Sequence, residues 1–303
     1  MDLYYKGNAI DIDTGGIVYD WTGKKIVFFG DSITDGASGY LTYVVNALGA
    51  TGVNKANSGL AVFPDWYTYK DREGVGPGHL AADYRRKPSN IPVDVDLLVI
   101  TGDVNSNSVD GSYNDTGKSS WYGRYNDALT AIHTSFPEVP VLLISEYCMA
   151  KNNTNYQVAE AMRQVSEYMG CPYLNLQNES QLNLKWSTVF GQTSSDHTHV
   201  NATYMPLFAD FVIEKIKRIK PFAFSGESTL SIDKNAVTVA VDDTETITAT
   251  TTGDHSVLWT SSDYDVACVM GGIVIGMSAG SATITATTRD GKTATCAVTV
   301  TAS

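Results

Sequence analysis

The chain contains no apolar stretch approaching the roughly 20 residues that a membrane-spanning helix needs, so insertion into a membrane is not expected. Cysteine is scarce, with four in 303 residues, too few for a disulfide scaffold in a chain this long. Cys148 and Cys171 fall in the first part and Cys268 and Cys296 near the end, where a Cys268–Cys296 bridge is open to an extracellular protein. A basic stripe is also missing: 21 Lys and Arg stand against 33 Asp and Glu, for a net charge of −12. Nucleic acids and anionic membranes bind through neutralised phosphates, so neither is an expected partner. Arg85-Arg86-Lys87 is a short exception and fits a solvated loop. The opening Met1-Asp2-Leu3-Tyr4-Tyr5-Lys6 has neither a basic start nor an apolar core, so no signal peptide is expected in this chain. Apolar residues at 43% against charged residues at 18% place the chain among folded proteins, not disordered ones.

Against these absences stands one organising stretch, residues 24–36. Ile26 to Phe29 form a continuous apolar run, as expected of a strand buried on both faces of a parallel sheet. Gly30, Asp31 and Ser32 follow at once, and an amphipathic segment begins near Gly39 with Leu41, Val44, Val45 and Leu48 at helical spacing. Strand, turn and helix in that order lift a side chain off the carboxyl end of a sheet, where α/β folds place their chemistry. Ser32 sits on that turn. Alone it reads more readily as a helix cap, because capping serines are common.

The rest of the chain repeats the alternation. Residues 1–23 form a polar, Gly-rich and aromatic lead-in without a clear period. Gly52–Ala56, Val95–Thr101, Val141–Ser145 and Tyr173–Leu176 are further expected strands. Helical faces are marked by Trp121, Tyr125, Leu129 and Ile132, then by Val158, Met162, Val165 and Met169, and last by Phe208, Val212, Ile216 and Ile219. Such spacing makes Trp121 a core residue, not a sugar platform. The pattern predicts a doubly wound, five-stranded parallel sheet covered on both faces. Residues 63–94 form a long irregular connection in which Trp66, Tyr67 and Tyr69 serve either as a substrate wall or as anchors for the loop.

At Pro221 the pattern changes. Phe222–Ser228 read as a linker, after which apolar residues alternate: Val237, Val239 and Val241, then Val257 with Trp259, then Cys296, Val298 and Val300. Short alternating strands between Gly and Asp turns predict a β-sandwich. Domains are therefore expected at 1–222 and 227–303. The second carries 3 basic against 9 acidic residues, a far denser negative charge than the first.

Two distant segments favour catalysis over capping at Ser32: Asn57-Ser58-Gly59 after the second strand, and Ser195-Asp196-His197-Thr198-His199 before the last helix. With Gly30-Asp31-Ser32 first and Asp196-x-x-His199 last, residues 20–220 resemble the SGNH/GDSL hydrolases, a superfamily of serine esterases and lipases. That resemblance implies a flavodoxin-like α/β domain, Ser32 as nucleophile, His199 as base and Asp196 as the group orienting it. It also implies an oxyanion hole built from the Ser32 and Gly59 N–H groups and an asparagine side chain. The third block departs from the family's Gly-x-Asn-Asp, since this chain reads Gly102-Asp103-Val104-Asn105-Ser106-Asn107. Asn105, the nearer to the strand end, is taken as the donor, with Asn107 as the alternative. The stretch from Trp259 through Gly271-Gly272 and Ala279–Ile284 to Val300 likewise resembles a bacterial group-2 immunoglobulin-like domain. This type is typical of bacterial surface proteins and phage tails.

A competing metal reading uses Asp196, His197 and His199, because His-x-His can present two imidazoles on one side of an extended segment. No second ligand cluster stands near in sequence, and His79 and His133 are isolated. The expectation is a cofactor-free, metal-free serine esterase, extracellular or on a cell surface or virion tail. Its expected substrate is an acylated carbohydrate or small ester, with O-acetyl groups foremost and Trp66 and Tyr67 as contacts. The alternative is a catalytically weak carbohydrate-binding or adhesion protein.

Overall fold

The computed structural model describes residues 4–5, 8–11, 16–34, 39–56, 91–102, 109–116, 120–145, 154–179, 199–222 and 226–302. Three short strands, β1 (Tyr4–Tyr5), β2 (Asn8–Asp11) and β3 (Gly16–Val18), form an antiparallel sheet where the sequence showed no period. The lead-in is then tied down beyond them. Trp21 is buried, and its indole N–H donates to the Ile216 carbonyl at 2.9 Å. The Tyr19 N–H donates to the Lys217 carbonyl, also at 2.9 Å.

The continuous apolar run forms β4 (Lys25–Phe29), whose Ile26 to Phe29 are wholly buried. Such a strand must be covered on both faces. Its parallel partners are β5 (Thr51–Asn54) on one side and β6 (Leu97–Thr101) on the other. β7 (Val141–Ser145) and β8 (Tyr173–Asn175) extend the sheet, giving the order β5-β4-β6-β7-β8, all parallel. The chain order reverses at β4, and beyond the carboxyl ends of β4 and β6 lies the crevice such sheets use for ligands. Leu176, expected in the last strand, instead opens a short helix and is buried there.

Five helices are described: α1 (Tyr40–Leu48), α2 (Trp121–Ser135), α3 (Thr154–Met169), α4 (Leu176–Glu179) and α5 (Met205–Lys217). α1 ends at Gly49, which adopts the left-handed conformation (φ 63°) and returns its N–H to the Asn46 and Val45 carbonyls. It buries Tyr40, Val44 and Leu48, while Leu41 and Val45 lie half-buried beside them. Leu41 and Val45 lean on β5 at Gly52, where an added Cβ would meet them at 3.1 and 2.8 Å. α1 packs against α5, and both share one apolar cluster with Phe28, Val99 and Ile144 of the sheet. Phe208 of α5 is wholly buried in that cluster. Truncating such a residue to Ala costs about 3–5 kcal/mol, so the α1–α5 seam is a large share of this unit's stability.

Residues 226–302 are all-β. One sheet runs β10 (Ala236–Ala240), β17 (Thr293–Thr301), β16 (Gly280–Thr288), β13 (Val257–Ser261). A second runs β11 (Thr244–Thr246), β15 (Ile273–Gly276), β14 (Ala267–Met270), and β9 (Thr229–Ile232) pairs with β12 (Ala249–Thr252). β10 and β17 are parallel, and the other pairs are antiparallel. The alternation read from the sequence is realised: Val239, Val257, Trp259, Cys296, Val298 and Val300 all enter one core. Cys268 and Cys296 are both buried free thiols, so the bridge open to them is not formed. Arg289 pairs with the fully buried Asp254 at 2.8 Å, and Asp254 also accepts the Ser256 N–H.

Candidate active site

The turn bearing Ser32 is set by Asp31, not by a helix cap. Its carboxylate is wholly buried, and Oδ1 accepts the Ile33 N–H at 3.0 Å. Its carbonyl accepts the Thr34 N–H at 3.1 Å. Aspartate favours this kind of turn because its side chain mimics a backbone acceptor two residues ahead. Between these tied groups, the Ser32 N–H donates to nothing among the described residues. A free N–H beside a hydroxyl is what an oxyanion donor requires.

Gly30 is needed here for space. A Cβ on it would stand 2.3 Å from Thr34 Oγ1 and 3.1 Å from the Thr101 carbonyl oxygen. Gly30→Ala should therefore push the turn off the end of β6. Overpacking of this kind typically costs about 1–3 kcal/mol. The expected result is a lower melting temperature together with a fall in kcat larger than any change in KM. A fully active Gly30→Ala protein would show that the turn has room to shift.

Ser32 and His199 are 167 residues apart in sequence, yet His199 Nε2 lies 2.9 Å from Ser32 Oγ. Both side chains are half-buried, open enough for a substrate to reach them. His199 stands just ahead of α5 on a segment fixed by Asn201. The Asn201 side-chain oxygen accepts the Thr203 N–H at 3.0 Å and the Tyr204 N–H at 3.2 Å, and its carbonyl accepts the Met205 N–H at 3.0 Å. Sequence reasoning passed over Asn201. Its signal was there, a capping residue shortly before Pro206 in the first turn of a helix.

The structure brings Ser32 and His199 together and describes Thr101 and Gly102, from which the third block departs. The Gly102 N–H still belongs to the sheet, donating to the Ile144 carbonyl at 3.1 Å. Asp196, His197, Gly59, Asn105, Asn107, Trp66 and Tyr67 lie outside the described residues. Of the set weighed as metal ligands, only His199 is described, and its Nε2 faces the serine.

The remaining described candidates are structural. Trp121 is buried and stacks on Tyr125 with ring centroids 4.1 Å apart, the core role its spacing predicted. Burial alone pushes the His133 imidazole below its ordinary value, favouring the neutral form. Burial also pushes the Cys171 thiol up to about 12, which leaves it protonated and inert. A Gly-x-Ser-x-Gly string does occur at Gly276–Gly280, but it joins two β-strands. Its Ser278 donates to the Asp265 carbonyl at 2.6 Å. A nucleophile elbow needs a strand-to-helix turn, so this serine is not one.

The chain is similar to known proteins in two separate stretches. The profile of the bacterial Ig-like domain (group 2) family matches residues 228–298. No curated protein matches the chain. One solved structure shares 16% identity over 65% of this chain and 98% of its own, with a TM-score of 0.55. A protein from Lactobacillus plantarum shares 20% over 64% of this chain and 96% of its own, with a TM-score of 0.50. A carbohydrate esterase family 3 structure from Talaromyces cellulolyticus shares 14% over 64% of this chain and 96% of its own, at a TM-score of 0.44. At such identities the two structures with TM-scores of 0.55 and 0.50 speak to the fold alone. The chain thus joins an α/β unit, with the fold of the two structures at TM-scores of 0.55 and 0.50, to an all-β unit that matches the bacterial Ig-like domain (group 2) family over residues 228–298.

Proposed function

We propose that the chain is a serine esterase acting on O-acetyl groups of carbohydrate. The observation that carries the esterase reading is the 2.9 Å approach of His199 Nε2 to Ser32 Oγ at the carboxyl edge of the sheet. Such a pair suits acyl transfer. His199 takes the hydroxyl proton as Ser32 Oγ attacks the ester carbonyl, then gives it to the departing alcohol oxygen. Water attacks the acyl-Ser32 in the second half, giving up a proton to His199, and Ser32 leaves with that proton as the free hydroxyl. Asp196 is assigned to hold the Nδ1–H side of His199. Developing negative charge on the carbonyl oxygen falls to the N–H groups of Ser32 and Gly59 and to the Asn105 amide.

Two features support the substrate. Group-2 Ig-like domains are typical of extracellular bacterial proteins, which meet polysaccharide. The sequence also offers no long apolar segment that would serve as a lipase lid. Among the described residues, no helix is long and apolar enough to cross a membrane. The test is acetate release from a panel of acetylated polysaccharides beside aryl acetate, butyrate and octanoate esters. Turnover on the acetates, blocked by a serine-directed phosphonate and indifferent to EDTA, is the expected result. Glycan binding without turnover would instead identify a binding protein.

The third block carries its own prediction. An oxyanion donor has to reach the carbonyl oxygen beside Ser32, so it should come from the first turn beyond Thr101. Asn105→Ala is expected to lower kcat by roughly 10²-fold with little change in KM. Asn107→Ala should be nearly silent. A reversed result would move the donor to Asn107.

A further inference from the structure

Tyr40 opens α1 and is wholly buried, with its ring filling the seam between helix and sheet. It meets Phe28 of β4 edge-on, with centroids 6.1 Å apart, and Phe208 of α5 at 5.4 Å. A phenylalanine would serve those contacts equally well. The hydroxyl is different: it lies 2.5 Å from Thr101 Oγ1, also wholly buried, on the last residue of β6. Burying two hydroxyls is unfavourable unless they bond each other, and the bond they make is directional. It joins the helix that follows the nucleophile turn to the strand end from which the third block departs. On its other side, the Thr101 carbonyl oxygen abuts Gly30 of the nucleophile turn. Phe208, in turn, lies on the helix that His199 leads into.

We propose that Tyr40, through its hydroxyl bond to Thr101, is a positioning residue for the Ser32–His199 site. It fixes the spacing between the turn bearing Ser32, the segment bearing His199 and the end of β6. The proposal rests on the esterase reading of this site. Acyl transfer is sensitive to such spacing, since a misplacement of about 1 Å can cost 10²-fold in rate. Losing one hydroxyl from an otherwise intact aromatic cluster shifts the parts less, so roughly a tenfold loss is expected. Because the bond is remote from bound substrate, the loss should appear in kcat with KM unchanged.

The experiment compares the full chain with Tyr40→Phe, Thr101→Val, their double variant, Thr101→Ser and the control Ser166→Ala. Ser166 is buried and donates its own hydroxyl to the Arg163 carbonyl at 2.6 Å, within α3. The measurements are kcat and KM on an aryl acetate, melting temperature, and the rate of Ser32 labelling by an aryl phosphonate. Tyr40→Phe and Thr101→Val should each lose about tenfold in kcat and in labelling rate, and the double variant should be no worse than either. Thr101→Ser should restore the rate. Ser166→Ala should lose comparable thermal stability and keep its kcat. If Tyr40→Phe loses stability as Ser166→Ala does yet keeps full kcat, the bond is only a core contact and the proposal falls. If Tyr40→Phe does not fold, Thr101→Val removes the same bond without touching the rings, and full activity there overturns the proposal as well. Failure of the esterase reading looks different, because the unaltered chain would then show neither turnover nor labelling at Ser32.

Discussion

Ser32→Ala is expected to abolish hydrolysis of a short aryl ester, with a loss in kcat on the order of 10⁶-fold, while the fold stays intact. The size of the effect follows from the chemistry. With the hydroxyl gone, no acyl-enzyme forms, and His199 can only activate water from a poor angle. What survives is substrate binding and the backbone oxyanion donors, which leave a residual acceleration of roughly 10³–10⁴ over water in enzymes of this kind. The fold should survive because the Ser32 side chain is half-buried and contributes only its bond to His199 among the described residues. The turn itself is held by Asp31 through the Ile33 and Thr34 N–H groups, and none of those bonds uses the serine. Circular dichroism and melting temperature should match the unaltered chain. A folded Ser32→Ala protein retaining most of its rate would move the chemistry to another group.

The two units were legible for different reasons. The all-parallel sheet announced itself because a strand covered on both faces has to be apolar throughout, as Ile26 to Phe29 and Val141 to Ile144 are. The β unit announced itself through period-2 burial, visible in Cys296, Val298 and Val300. Ser32 and His199 were singled out through short motifs whose order along the chain resembles that of a known superfamily. Contacts that depend on three dimensions left no such trace. The lead-in strands have a polar composition, and Trp21 is anchored through a backbone carbonyl of α5, a bond no spacing rule reveals. Tyr40 stands immediately before Leu41, the residue the helical pattern chose. It is nonetheless the deeper of the two, because α5 arrives on that side and brings Phe208 onto its ring. The Cys268–Cys296 bridge was open on composition alone, and the fold leaves both thiols buried and unbridged.

The histidines give the second large effect. His199→Ala is expected to cost about as much as Ser32→Ala, because an alkoxide does not form at neutral pH without a base within hydrogen-bond reach. Among the described residues, His199 is the base placed to act, with its Nε2 at 2.9 Å from the hydroxyl. The two losses should not add. Groups that work as one unit fail together, so the double variant should be no slower than either single one. His197→Ala, two residues away in sequence, should reduce the rate only a few-fold, because the base assigned is His199. This contrast also separates serine catalysis from the metal reading. If His197 and His199 were both ligands with Asp196, either substitution would be equally damaging. EDTA would then silence the unaltered protein, and added zinc would restore it. Equal losses at the two histidines, together with rescue by zinc, would replace the triad with a metal-activated water. A large loss at His199 alone, insensitive to zinc, is the result the 2.9 Å contact predicts.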